Sequence, residues 1–293
     1  MDKKTLQNLE QKAAAFMKFE TSKKITWCSN CGNYAILNAL TRALVLEGIE
    51  KKNLLLCFDI GCNGNAADKI ETYTLHGLHG RVISVAAGAA LANQNVKVIA
   101  FGGDGGTFSE GVNHLVHAIR NNYPVLFIHH NNENYGLTVG QASSTTRCGA
   151  VMNGAPGGVV IPPINTLQFV LSLDPSFVAR GFSGEVNHLT EIFRSALNHK
   201  GFAYVEVLQA CPTYNKLTPD AWYAEKVKFV EDLKKYDRHD IWQARKIVED
   251  MEKEIYLGLI YENKNKSDFL SLQKNRKGLK TSLVDEVKNY DFM

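Results

Sequence analysis

Residues 96–122 have the sequence VKVIAFGGDGGTFSEGVNHLVHAIRNN, and this stretch decides the fold. A strand-like apolar run enters glycines that surround one carboxylate, Asp104, and an amphipathic helix follows. Thr107 or Ser109 is expected to cap this helix, with Glu110 in its first turn. The amides of such a turn favour a bound phosphate, and Asp104 would hold the divalent cation that neutralises a diphosphate. An ordinary tight turn is the alternative.

The same alternation of strands and helices continues on both sides. Strand-like runs occupy residues 54–60, 96–101, 124–130 and 203–208, and helix-like segments such as RVISVAAGAALANQ and LTEIFRSALNHK lie between them. Continuous apolar strands separated by helices are typical of a parallel sheet that helices cover on both faces. The sequence therefore predicts a doubly wound, mainly parallel α/β fold, with ligands bound where strand ends meet helix starts.

Two segments depart from this pattern. Residues 140–188 are rich in Gly, Ser, Thr and Pro and lack clear periodicity, which indicates a long functional excursion. Beyond Cys211 the chain becomes charged and polar, so we predict a site-bearing domain at 1–215 and a C-terminal helical or extended tail at 216–293. Charged helices and turns are expected over 216–255, and the basic end is interpreted as an extension that packs on a partner.

The composition narrows the class of protein. The 293 residues include 45% apolar and 22% charged residues, and the net charge of +3 is too small to indicate a nucleic-acid partner. No apolar run approaches the roughly 20 residues that span a bilayer, so no membrane contact is expected. The first residues, MDKKTLQNLEQKAAAF, lack the apolar core of a signal peptide, which predicts a cytoplasmic protein with reduced cysteines.

A second polar segment follows the next predicted strand. Asn132 and Asn134 lie in HHNNENYGLTVGQ, one helix and one strand beyond Asp104. Because neighbouring parallel strands end at the same sheet edge, these residues are expected close together. Magnesium takes about six oxygen ligands, and Asp104, the Asn132 side chain and the Asn134 carbonyl would supply three of them. The sequence therefore predicts a magnesium site.

Two cysteines form a CxxC motif. Cys28 and Cys31 follow Trp27 and precede a helix-like run that has apolar residues at Ile36 and Leu40. Together with two remote cysteines, the motif suits an iron–sulfur cluster and a structural zinc about equally. A redox dithiol and unrelated buried thiols are further alternatives, and spacing alone does not choose among them.

A family pattern joins these motifs. GDG followed by NN at this distance resembles the signature of thiamine diphosphate enzymes, and NYGLTVGQASSTT resembles the version in the β subunits of 2-oxoacid:ferredoxin oxidoreductases. The resemblance covers most of the chain. Its other blocks, in the family's order, are WCSNCGN, DIGCNGN, HGLHGR, EGVNHLVHAIRNN, FVAR, GFAYVEVLQACPTYN and IYLGLIY.

The resemblance implies two sets of site residues within a thiamine diphosphate-binding domain at 1–215. The implied ligands of one 4Fe-4S cluster are Cys28, Cys31, Cys62 and Cys211. The implied contacts to thiamine diphosphate and magnesium are Ile60, Gly61, Cys62, Asn63, His79, Gly103, Asp104, Gly105, Gly106, Asn132, Asn134, Gly136, Leu137 and Thr138. Cys57 is predicted to lie in the core, and Cys148 has no matching partner. Ordinary polar roles are predicted for His76, His114, His117, His129 and His130.

The activity that the resemblance implies is coenzyme A-dependent oxidative decarboxylation of a 2-oxo acid, with electrons passing through the cluster to ferredoxin. The glutamate that activates thiamine in such enzymes is expected on an α subunit, which would also hold coenzyme A. The expected assembly is therefore αβ or a dimer of αβ units. An inactive metal-binding scaffold and a non-oxidative thiamine decarboxylase are the alternative functions.

Departures from the family pattern bear on the substrate. Asn65 and Val139 stand where relatives often carry cationic residues, and GDGG and SSTT replace GDGD and SPT. A cation at such a position would meet a substrate carboxylate. The sequence therefore does not define the preferred 2-oxo acid.

Overall fold

The computed structural model describes residues 19–273, which form one mainly parallel sheet with helices on both faces. This confirms the predicted fold class. The N-terminal stretch MDKKTLQNLEQKAAAF and the end of the basic tail lie outside the described residues.

The sheet is built from strands that are scattered along the chain. They are β1 (Leu54–Phe58), β2 (Tyr73–His76), β3 (Lys97–Gly103), β4 (Val125–Asn131), β5 (Phe177–Phe182), β6 (Ala203–Leu208), β7 (Val227–Phe229) and β8 (Ile255–Glu262). Their order across the sheet is β2-β1-β3-β4-β6-β5-β8-β7. The pairs from β2 to β5 are parallel, whereas β8 runs antiparallel to β5 and pairs with β7 at the edge. The predicted strands correspond to β1, β3, β4 and β6.

Helices cover both faces of the sheet. They are α1 (Gly32–Leu46), α2 (Val82–Ala92), α3 (Val112–Asn121), α4 (Thr166–Leu171), α5 (Val186–Asn198), α6 (Asp220–Lys226), α7 (Ile241–Ile247) and α8 (Phe269–Leu272). The helix expected after the CxxC motif is α1, and those expected between the predicted strands are α2, α3 and α5. None of the described helices has the length and apolar character needed to cross a membrane.

Side chains of the central strands alternate between two apolar clusters. In β4, Leu126 and Ile128 belong to the cluster that includes α1 and α5, whereas Val125 and Phe127 belong to the cluster that includes α2 and α3. This burial on both faces explains why the central strands are apolar at consecutive positions. Cys57 of β1 is fully buried in the second cluster, as predicted.

The prediction that residues 140–188 form one long excursion without regular elements is wrong for the second half of this range, because α4 and β5 lie there. Arg180 interrupts the apolar pattern of β5, which hid the strand from a reading of periodicity. The charge is tolerated because Arg180 Nε donates a 2.7 Å hydrogen bond to Glu206 Oε2 on β6, and both side chains are fully buried.

The predicted start of the helix after β3 is also wrong. Gly105–Glu110 form a π-helical turn, and α3 begins only at Val112. Neither Thr107 nor Ser109 caps α3, because the residue at its N-cap is Gly111 and no side chain makes the capping bond. The wide turn keeps Gly105 and Gly106 at the end of β3.

The chain beyond 215 returns to the sheet. Helices α6 and α7 lie within 216–255, as expected, but β7 lies there too, so the prediction of helices and turns alone is incomplete. Strand β8 follows, and Ile255, Leu257 and Ile260 of that strand are buried. The division of the chain into two domains at this point stays a prediction.

Candidate cofactor and metal site

A cleft opens at the carboxyl ends of β1, β3 and β4. Its wall contains every residue predicted to contact thiamine diphosphate or magnesium. These residues are Ile60, Gly61, Cys62, Asn63, His79, Gly103, Asp104, Gly105, Gly106, Asn132, Asn134, Gly136, Leu137 and Thr138. Four further residues, Asn33, His130, Tyr135 and Gln209, complete the wall. The sequence therefore located the cleft, whereas the contacts to a bound cofactor stay predictions.

Asp104 and Asn132 follow the ends of neighbouring strands. Gly103 of β3 is paired with His130 of β4, so the chain leaves the sheet at the same level in both strands. Asp104 is almost completely buried, and burial raises its pKa to about 6. Hydrogen bonds from Ser143 and Thr145 to Asp104 Oδ2 act in the opposite direction. The SSTT segment thus folds back onto the carboxylate.

A tight turn joins Asn132 to Asn134. Asn134 N donates to Asn132 Oδ1 at 3.1 Å, and Asn134 Nδ2 donates to the Asn132 carbonyl at 2.8 Å. Glu133 between them has a φ of +59°, a left-handed conformation that side chains other than glycine seldom adopt. The turn directs Asn132 and Asn134 into the cleft wall beside Asp104.

The side chain of Glu133 holds this turn in place through hydrogen bonds on the side away from the cleft wall residues Asn132 and Asn134. Its buried carboxylate accepts a 3.0 Å hydrogen bond from Arg147 Nε and further bonds from Asn215, Thr218 and Tyr223. Burial raises the pKa of Glu133, and the Arg147 charge opposes the shift. The sequence analysis missed this network because its donors come from three distant segments. The sequence did offer one sign of this network, which is the acidic residue Glu133 between Asn132 and Asn134.

The turn after β3 requires glycine at two positions, Gly105 and Gly106. A β-carbon on Gly105 would lie 2.3 Å from the Tyr135 ring, and one on Gly106 would lie 2.3 Å from Asp59 Oδ2. No side chain fits at either position, so the backbone of the turn stays directly against the cleft. Burial raises the pKa of Asp59, whose Oδ1 accepts hydrogen bonds from Ile60 N and Gly80 N at 2.8 Å each.

His79 lies in the cleft wall beside Gly106, where its Cε1 would be 3.4 Å from an added β-carbon. Its Nδ1 is 2.7 Å from Glu110 Oε2, and its ring stacks on Tyr135 with centroids 5.9 Å apart. Tyr135 in turn donates to Glu110 Oε1 at 3.2 Å. These three side chains hold the loop after β2 against the loop after β4.

Four cysteines lie near enough to one another beside the cleft for their charges to interact. Cys28 is exposed, Cys31 and Cys62 are half-buried, and Cys211 is buried. Burial raises the pKa of the Cys62 thiol to about 12, and the charges of Cys31, Cys211 and Cys28 raise it further. The structure thus brings together the four cysteines predicted to bind the cluster, whereas Cys148 is exposed and takes no part in this group.

The cysteine loops are tied to the rest of the site. Trp27 Nε1 donates a hydrogen bond to the Cys62 carbonyl, so the segment before the CxxC motif is fixed to the loop after β1. Among residues 19–273, no group of three or more His, Cys, Asp or Glu side chains is arranged to hold a single metal ion. The magnesium set that the sequence predicts combines one carboxylate with amide and carbonyl oxygens, and a four-iron cluster occupies more space than one ion.

Other predicted residues lie at the rim. Thr138 shares a hydrogen bond with Gln141 through its hydroxyl and is exposed. Leu137 and Val139 are about half exposed, and Val139 has a φ of +70°. Neither Asn65 nor Val139 is part of the cleft wall.

His130 was predicted to be an ordinary polar residue, but it lies in the cleft wall. Its Nδ1 is 2.8 Å from Asn33 Oδ1 and 3.2 Å from Gln209 Oε1. Burial lowers the pKa of His130 to about 3, so the ring is neutral. No sequence signal distinguished it from His129, which faces the other side of the sheet and hydrogen-bonds Tyr204 at 2.7 Å.

The cleft wall offers buried polar atoms that have no partner among the described residues. They are Asn33 Nδ2, Asn63 Nδ2, His130 Nε2 and Asn134 Oδ1. A buried polar atom without a hydrogen bond costs about 1–3 kcal/mol. A polar ligand in the cleft would satisfy these atoms, so the wall fits a phosphorylated, metal-bound cofactor.

Comparisons with known proteins identify the family to which the chain is similar. Residues 59–207 match the family described as thiamine pyrophosphate enzyme, C-terminal TPP binding domain, and residues 211–277 match the C-terminal region of the pyruvate ferredoxin oxidoreductase beta subunit. The 2-oxoacid:ferredoxin oxidoreductase subunit beta of Saccharolobus solfataricus is 38% identical over 248 residues, which cover 81% of each chain. The subunit of the same name from a Sulfolobus species is 39% identical over 213 residues, or 72% of this chain and 70% of that one.

A solved structure has the same fold over nearly the whole length. It is the 2-oxoglutarate:ferredoxin oxidoreductase from Magnetococcus marinus with 2-oxoglutarate, coenzyme A and succinyl-CoA bound. The TM-score is 0.86 at 29% identity, and the match covers 93% of this chain and 94% of that chain.

Proposed function

The chain belongs to the β subunits of the 2-oxoacid:ferredoxin oxidoreductases, and from this premise we propose that it works with an α subunit to convert a 2-oxo acid and coenzyme A to acyl-CoA and carbon dioxide. Electrons pass through a 4Fe-4S cluster to ferredoxin. The observation that carries the proposal is the position of Cys62, which lies in the cleft wall with Asp104 and Asn132 and also stands in the group of four cysteines.

The cleft is proposed to hold thiamine diphosphate with magnesium. Asp104, the Asn132 side chain and the Asn134 carbonyl would hold the ion, and Gly105 and Gly106 would place backbone amides against the diphosphate. When bound, the cofactor supplies an electron sink for decarboxylation. The residues of this chain bind and orient it, and the buried wall keeps water from the reacting end.

The four cysteines are proposed to hold the cluster. Iron binds thiolates, and burial raises the thiol pKa values of Cys31 and Cys62 to about 11 and 12. Cluster assembly at neutral pH must therefore displace protons from these thiols. An iron–sulfur cluster rather than zinc is proposed because the family passes electrons to ferredoxin, and zinc has no redox chemistry.

The α subunit is proposed to close the cleft. The rim exposes apolar side chains, with Ile60, Leu137 and Val139 at 36%, 48% and 54% of their full exposure. The described wall contains no glutamate, so the glutamate that activates thiamine is placed on the α subunit together with the coenzyme A site. We also place the complex in the cytoplasm, where free thiols and a reducible cluster persist.

The test is an assay of the co-produced α and β subunits, purified without oxygen. We expect ferredoxin or dye reduction that requires coenzyme A and one member of a panel of 2-oxo acids that includes pyruvate and 2-oxoglutarate. Release of an aldehyde without reduction would instead assign a non-oxidative decarboxylase. Bound thiamine without turnover of any panel member would assign a scaffold and overturn the oxidoreductase proposal.

A further inference from the structure

An uncharged loop precedes α4. Residues 148–173 contain no Asp, Glu, Lys, Arg or His. In the part before α4, Val151, Val160 and Ile161 are 70%, 85% and 74% exposed, and we call residues 149–164 the apolar loop. Single exposed apolar side chains are normal on a protein surface, whereas several that lie together mark an interaction surface.

Backbone hydrogen bonds bring the two arms of the apolar loop together. Gly149 N donates to the Val159 carbonyl at 2.8 Å, and Val159 N donates to the Ala150 carbonyl at 2.9 Å. Val151 directly follows Ala150, and Val160 directly follows Val159, so both exposed valines lie next to the same backbone contact. The exposed side chains of the two arms therefore belong to one patch.

The apolar loop is continuous with the rim of the cleft. Asn153 N donates to the Gly140 carbonyl at 3.0 Å, and Asn153 Nδ2 donates to the Val139 carbonyl. Val139 is one of the exposed apolar residues of the rim, and Val151 stands two positions before Asn153. A partner that covers the rim therefore meets the apolar loop as well.

The end of the apolar loop is tied to the segment that contacts the predicted metal carboxylate. Ile164 N donates to the Ser144 carbonyl at 2.8 Å. The neighbours of Ser144 in the chain, Ser143 and Thr145, both donate to Asp104 Oδ2. The loop is thus anchored at the rim and at the metal side of the cleft, which fixes its place beside the opening.

We propose that the apolar loop is a docking surface for the α subunit. The inference rests on the proposed function, which requires an α subunit to close the cleft. The loop and the rim form one apolar surface, so the chain that closes the cleft also covers the loop. A second copy of this chain seated on the loop would cover the rim, where the α subunit has to lie.

The test measures association of the full β chain with the α subunit. Val160→Asp and Ile161→Asp each place a charge on the loop, and aspartate is too short to reach solvent from a buried interface. We expect the dissociation constant of each variant complex, measured by sedimentation of a dilution series, to rise at least about tenfold, because the charge is buried without a partner. Thermal unfolding of the β chain alone should be unchanged, since both side chains are largely exposed.

Leu272→Asp is the matched control. Leu272 is an apolar residue of α8 and is 61% exposed. The amide of Phe269, at the start of α8, donates to the Asn122 carbonyl, so this helix lies at the amino end of β4 and away from the cleft. Association of Leu272→Asp with the α subunit should equal that of the unaltered chain.

Three results would overturn the docking assignment. The first is unchanged association in both Val160→Asp and Ile161→Asp. The second is a β chain that forms a dimer without the α subunit and that Val160→Asp dissociates, which would assign the loop to contacts between two copies. The third is an intact variant complex that reduces a dye but no longer reduces ferredoxin, which would assign the loop to ferredoxin.

Hydrogen exchange provides a measurement that needs no variant. The amides of residues 149–164 should exchange more slowly in the αβ complex than in the β chain alone, and equal exchange would overturn the inference. A complex that protects the loop but oxidises no 2-oxo acid would overturn the proposed function and leave the docking surface in place. An unaltered β chain that does not bind the α subunit would overturn both.

Discussion

Gly136 lies directly against Cys62: a β-carbon at Gly136 would come within 3.1 Å of the Cys62 Sγ atom. The loop after β4 thus contacts a cysteine of the loop after β1, and only glycine permits the contact without displacement. The same added carbon would lie 3.3 Å from Asn134 Oδ1. The predicted magnesium turn and the predicted cluster ligand therefore share one packing contact.

Gly136→Ala should weaken thiamine diphosphate binding about tenfold, since overpacking of a tight site costs about 1–3 kcal/mol. Isothermal titration of the complex with the cofactor and magnesium measures the change. Gly88→Ala is the matched control, because Gly88 is exposed in α2 and nothing lies within 4 Å of its added carbon. Equal affinities in both variants would show that the Gly136 contact does not constrain the site.

Glu133→Gln should destabilise the protein by about 3 kcal/mol or more, because it leaves the largely buried Arg147 without its main counter-charge. Glu252 pairs with the same Arg147 from the surface, with its side chain 70% exposed. Glu252→Gln should therefore change stability by only about 0–1 kcal/mol. Urea unfolding of the two variants provides the comparison, and similar losses would contradict the anchoring role of Glu133.

Asp104→Asn should abolish magnesium-dependent binding of thiamine diphosphate without destabilising the ligand-free protein. Burial opposes the charge on Asp104, so a neutral amide is tolerated there. The unaltered protein should gain about 2.7 kcal/mol of stability at a ligand concentration of 100 times the dissociation constant. Thermal unfolding with and without ligand measures this gain. The exposed Asp68→Asn should keep it, and a retained gain in Asp104→Asn would remove Asp104 from the metal site.

Acid should destabilise the fold partly through His199. Burial lowers the pKa of His199 to about 4, and its Nε2 lies 2.9 Å from Ser176 Oγ. The unfolded state takes up a proton near pH 6.5 and the folded state only near pH 4, so stability falls as the pH drops through this window. The contribution is on the order of 3 kcal/mol. His199→Gln should flatten the pH dependence of urea unfolding below pH 6.5, whereas parallel curves would contradict the assignment.

The sequence could predict those features of the fold and of the site that follow from the order of apolar and polar residues along a short segment. Strands β1, β3, β4 and β6 are mainly apolar runs of strand length, and Asp104 and Asn132 directly follow β3 and β4. The rule that parallel strands end at one edge then placed the cleft. The same logic failed at β5, where Arg180 breaks the apolar run and is buried only because it pairs with Glu206 of β6.

The rest depends on contacts between distant segments. The donors to Glu133 come from Arg147, Asn215 and Tyr223, whose convergence no spacing rule describes. His130 faces the cleft and His129 faces the core only because adjacent residues of a strand point to opposite sides. In the π-helical turn after Asp104, Gly105 packs closely against the Tyr135 ring, and a capping pattern in the sequence does not describe such a contact between distant residues.

The central claim is that the four cysteines hold a redox-active cluster next to the thiamine cleft. It is tested most directly by mixing the anaerobic αβ complex with coenzyme A and its 2-oxo acid, without ferredoxin, and recording iron, acid-labile sulfide and the EPR spectrum. The account predicts about four irons and four sulfides per β chain and a cluster that the substrate reduces. Zinc in place of iron, or a complete cluster that the substrate never reduces, would contradict it.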